Sequence, residues 1–141
     1  MITQYHKRML IAGMFALTLA AGITSPASAT TSYTMTIVKL ECIIKQDSVF
    51  NGKDEPRVEV NAMPVYTGSG FSNGTIKYVP NNGTTVYSSA TISIWELDAS
   101  PDPDDYIGYF TITSANVVGM GELTHILGGS SGKYKVTYRV D

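Results

Sequence analysis

The chain has 141 residues, twelve acidic and ten basic, for a formal charge of −2, enough for one domain around one core. Apart from the adjacent Lys7 and Arg8, its basic residues (Lys39, Lys45, Lys53, Arg57, Lys77, Lys133, Lys135 and Arg139) stand singly, which excludes the phosphate-binding patch that a nucleic-acid partner requires. A single cysteine, Cys42, excludes an internal disulfide, so stability must come from apolar burial and any bound ion.

The first 29 residues combine a basic start (His6, Lys7, Arg8), an apolar run from Met9 to Ala21 and the small-residue sequence Ala27-Ser28-Ala29. This layout predicts a secretory signal peptide over residues 1–29, whose apolar part is too short to span a bilayer. The expected mature domain is residues 30–141, extracellular or periplasmic, without a transmembrane segment. Losing Lys7 and Arg8 with the signal brings the formal charge to −4.

Short alternating runs rich in Val, Ile, Thr and Tyr, punctuated by Gly, Pro, Asn and Ser, predict strands and no helix. The first covers Tyr33–Lys45, where Thr36, Val38, Leu40, Cys42 and Ile44 share one face. Cys42 is accordingly expected to be an inert buried thiol. Strands follow over Arg57–Ala62, Val65–Thr67, Thr75–Val79 and Thr84–Ser88, and Asn81-Asn82-Gly83 predicts a type I′ hairpin between the last two. In Ala90–Leu97, Ile92, Ile94 and Glu96 alternate with Thr91, Ser93, Trp95 and Leu97; Trp95 is expected in the core on the face of Leu97. Tyr106–Thr113, a weaker Leu123–Leu127 and Lys133–Val140 complete the set, the last with Tyr134, Val136 and Tyr138 inward. About eight strands predict an all-β, antiparallel two-sheet sandwich.

Eight of the twelve acids fall in two windows, Asp47, Asp54 and Glu55 in one and Glu96, Asp98, Asp102, Asp104 and Asp105 in the other. Each window follows a predicted strand, so folding can bring both to one end of a sheet. Carboxylates gathered there repel unless a cation lies among them, and calcium takes six to eight oxygens in loosely specified geometry. Glu96 and Asp98, two apart at a strand end, share a face, while Pro101 and Pro103 stiffen the loop and remove backbone donors. Neither window has the acid and glycine spacing of an EF-hand.

The segment Glu96-Leu97-Asp98 followed by Asp105-Tyr106-Ile107-Gly108 resembles the third calcium-binding loop of C2 domains. Asp47 through Asp54-Glu55-Pro56 resembles their first loop, in matching order along the chain. The resemblance implies a C2-like sandwich binding Ca2+ through Asp47 and either Asp54 or Glu55 from the first loop. From the third it implies Glu96, Asp98 and Asp105, with Asp102 or Asp104 as extras. Glu96 stands where the family usually has Asp, and Arg57 where it usually has Tyr. By analogy Val49 and Phe50, in the middle of the first loop, are candidate membrane contacts beside the ion.

Catalysis is not expected. The mature chain has one histidine, His125, no G-x-S-x-G elbow, and short loops that leave little room for a cleft around paired carboxylates. The expected function is a secreted non-catalytic calcium-binding module that attaches to an anionic lipid, carbohydrate or protein surface; Tyr66, Tyr78, Tyr87, Tyr106 and Tyr109 supply planar faces for a glycan. The rival expectation is a secreted sandwich with merely solvated acids that works through protein–protein contacts, as a toxin accessory or inhibitor without a metal site.

Overall fold

The computed structural model describes residues 30–46, 52–98 and 103–141. The expected signal peptide, Asp47, Val49, Phe50 and Asp102 lie outside the described residues. Among the described residues nine strands form: β1 (Tyr33–Ile44), β2 (Pro56–Val60), β3 (Met63–Thr67), β4 (Ile76–Tyr78), β5 (Thr84–Val86), β6 (Ser89–Glu96), β7 (Asp105–Thr113), β8 (Leu123–Gly128) and β9 (Lys133–Val140). They make two antiparallel sheets: β4-β1-β9-β8, with β5 also on β1, and β3-β2-β6-β7. One helical turn, α1 (Ser114–Val117), follows β7; four residues are too few for the apolar spacing that betrays a helix in sequence.

The core lies between the sheets, where Met35, Ile37, Leu40, Val58, Ile92, Ile94, Tyr134 and Val136 are buried. In β9 Tyr134, Val136, Tyr138 and Val140 are buried as expected, and Thr137 among them is buried as well. Cys42 is fully buried, as an inert thiol requires. The first half of β1 departs from strict alternation, because a register shift at Val38 exchanges its faces: Met35 and Ile37 point inward before it, Leu40 and Cys42 after.

Trp95 is not in the core. The parity of β6 is set by Ile92 and Ile94, which leaves Trp95 half-buried on the outer face, and Leu97 lies beyond the end of the strand.

The hairpin expected at Asn81-Asn82-Gly83 does not form. β4 pairs with Lys39–Glu41 and β5 with Tyr33–Met35, so the two lie end to end along β1. Asn82 fills the gap: its buried side chain accepts from the Ile37 N–H at 2.6 Å and donates to the carbonyls of Ile37 at 2.7 Å and Val79 at 2.9 Å. A side-chain amide here does the pairing of a backbone peptide.

The tight two-residue turn lies instead between β2 and β3, where Val60 pairs with Met63 and Asn61 and Ala62 have φ of 51° and 62°. Two positive φ values define a type I′ turn, and alanine is a poor occupant of that region. Ala62→Gly relieves the strain and should stabilise the protein by about 0.5–1 kcal/mol in urea unfolding, net of the added chain entropy. Asn82→Ala strands a buried N–H and two carbonyls, and should cost about 1–3 kcal/mol in the same measurement.

Candidate functional site

Pairing brings the two acidic windows together. At one end of the β3-β2-β6-β7 sheet Pro56 is opposite Glu96, and Glu96 opposite Asp105, so the start of β2, the end of β6 and the start of β7 form a single row. Gln46, just past β1, joins the windows: its N–H donates to Asp54 Oδ2 at 2.7 Å, and its side-chain Nε2 to Asp105 Oδ2 at 2.8 Å.

The acids divide into two groups. Asp54 is fully buried, with Oδ2 also accepting from the Tyr134 hydroxyl at 2.5 Å, and its backbone exchanges two 3.0 Å hydrogen bonds with Phe71. Glu96 is 1% exposed, and its Oε1 accepts from the Glu55 N–H at 3.1 Å. These two brace the loops from within, since a buried carboxylate needs such donors.

Glu55, Asp98, Asp104 and Asp105 lie at or near the surface. Arg57 Nη1 contacts Asp104 Oδ2 at 3.2 Å, and the Asp98 N–H makes a long 3.4 Å contact to Asp104 Oδ1. The donors are all oxygens, as a hard cation prefers. Among the described residues, however, no three His, Cys, Asp or Glu side chains come together as a metal-holding group. The described carboxylates fit calcium in kind, and Asp54 and Glu96 already serve protein donors.

Gln46, Arg57 and Tyr134 are the members of this end that the acidic pattern alone does not reveal. Tyr134 is legible as an inward residue of β9, but nothing in its neighbours indicates that its hydroxyl meets a carboxylate 80 positions away. Burial, then the bond to Asp54, raises the Tyr134 hydroxyl well above its ordinary value of 10.0. Burial likewise raises the Cys42 thiol, although its hydrogen bond to Tyr134 works the other way.

Folding therefore holds on Tyr134 a proton that the unfolded chain releases near pH 10. Its contribution is complete below that pH and lost as pH rises above it. Tyr134→Phe removes a donor to a buried carboxylate and should cost about 1–3 kcal/mol at neutral pH. In alkaline unfolding above pH 10, the stability of the variant should fall less steeply than that of the parent.

No protein-family model matches the chain. No curated protein matches it. Among solved structures it is similar to the paired C2 domains of Extended-Synaptotagmin 2, at 14% identity and a TM-score of 0.53, over 94% of this chain and 48% of that one. A calcium-bound structure of the same pair of domains gives 17% identity and a TM-score of 0.51, over 78% of this chain and 44% of that one. The chain thus spans about half the length of these neighbours, and at such identities the likeness is one of fold. The chain is a β-sandwich with a C2-like fold.

Proposed function

We propose that this protein is a secreted, non-catalytic binding module that takes up calcium at its acidic end and through the ion attaches to an anionic lipid surface. The observation that carries the reading is the union of both acidic windows at one end of the sandwich through Gln46. Supporting it, one neighbour of the same fold is a calcium-bound form.

In this reading Asp54 and Glu96 are internal braces, and Glu55, Asp98, Asp104 and Asp105, with Asp47 and Asp102, supply the oxygens. Bound calcium offsets part of that negative charge and leaves coordination positions for the oxygens of phosphate head groups, with Val49 and Phe50 as candidate apolar contacts. Exposed loops are only partly preorganised, so the affinity belongs to the extracellular class, with a dissociation constant of about 10⁻⁴–10⁻³ M.

A second reading has one observation in its favour: Asp54 and Glu96 are each met by protein donors. An end so satisfied also suits a protein–protein contact surface without metal.

Calorimetric titration of calcium decides between them. The first reading expects binding in the stated range and about 1.4 kcal/mol of added stability at ten times the dissociation constant. Asp98→Asn should weaken binding, and anionic vesicles should capture the protein with calcium but not with chelator. No heat of binding and no shift in melting temperature would leave the metal-free reading.

A further inference from the structure

The outer face of the β3-β2-β6-β7 sheet carries an open groove of about 490 Å³, within the size range of small-molecule sites. Its walls are Trp95, Tyr106 and Tyr109, and Glu59 and Ser93 line it between them. Tyr106 and Tyr109 are 49% and 62% exposed, although they stand three apart on one strand.

A register shift builds this groove. Residues three apart on a strand point to opposite faces. Between Ile94 and Trp95 the pairing of β6 with β7 slips, so that Trp95 faces Tyr106 while Ser93 faces Tyr109. The extra residue falls at Ile107-Gly108, where Gly108 takes a φ of 153°, and the bulge turns both tyrosines outward. Trp95 and Tyr106 then pack with ring centroids 4.7 Å apart at 53°.

Glu59, the carboxylate that lines the groove, is already paired. Arg57 Nε pairs with Glu59 Oε1 at 3.0 Å, and Arg57 also serves Asp104. Glu59 Oε2 accepts from Trp95 Nε1 at 3.1 Å and from Ser93 Oγ at 3.3 Å. These bonds fix the carboxylate and the indole while leaving the carboxylate some accepting capacity. A cationic guest would compete with Arg57, whose guanidinium already lies 5.8 Å from the Trp95 ring centre. An anionic guest would meet Glu59 with the Arg57 charge spent. A wholly apolar guest would strip water from Glu59 and two tyrosine hydroxyls without replacing it.

A neutral molecule with flat C–H faces and a rim of hydroxyls meets every one of these conditions. We propose that this groove is a carbohydrate-binding site in which a neutral pyranose stacks on Tyr106 and Tyr109 and donates hydroxyls to Glu59, independently of calcium.

Trp95 is the single tryptophan of the chain, so its fluorescence reports the groove directly. The protein is titrated with cellohexaose, chitohexaose and mannohexaose, each in chelator and in calcium. At least one should shift the Trp95 emission at millimolar concentration or below, equally in both buffers. Tyr109→Ala should weaken that binding about tenfold, while Tyr109→Phe, which keeps the ring, should retain it. Tyr78→Ala, on the other sheet, should bind like the parent, and melting curves check that each variant is folded. No response to any of the three sugars overturns the proposal, as does undiminished binding by Tyr109→Ala. Self-association lost on Tyr109→Ala would overturn it too, marking the groove as a contact between copies. None of these outcomes depends on whether calcium binds at the loops.

Discussion

The structure depends on a buried carboxylate that must be satisfied. Asp54 has no access to solvent, and Gln46 from beyond β1 and Tyr134 from β9 both donate to its Oδ2. Because an unmet charge in the core would cost several kcal/mol, this demand pins Asp54, just ahead of β2, to the sheet opposite. Through the same Gln46 the constraint passes to Asp105 and the second window. What brings the acidic loops together in this fold is thus hydrogen bonding from the protein itself.

The division between inner and outer acids follows from strand parity. Glu96 continues the inward face of Ile92 and Ile94, so it is carried into the core whatever its charge, and the Glu55 N–H meets it there. Asp104 precedes the next strand and Asp105 begins it at the rim, where Arg57 and Gln46 reach them. An electrostatic account of this end therefore concerns the outer group, with the inner pair fixing the loop roots.

Period-two alternation makes the strands legible, because Val, Ile, Thr and Tyr runs broken by Gly, Pro and Asn leave little else to form. Fine structure is illegible wherever one residue changes the parity. The shift at Val38 exchanges the faces of β1, and the shift beside Gly108 turns Tyr106 and Tyr109 to one side. Alignment with Leu97 points Trp95 to the core, whereas the burial of Ile92 and Ile94 fixes the opposite face. Asn82-Gly83 carries the composition of a hairpin, but tertiary demand uses the Asn82 side chain to serve Ile37. The convergence of the acidic windows is legible from their positions after strands. The donors that meet them are not, because a tyrosine or glutamine partner leaves no periodic trace.

The outer margin of β1 is covered by two strands of three residues each, with a side-chain amide between them. A long unbroken strand there would offer a row of free peptide groups to any other chain with a complementary edge. The interruption shortens that template, since Asn82 spends its donor and acceptor inside the sheet between the two strands. By this device the β4/β5 margin of that sheet presents no strand longer than three residues to a passing chain.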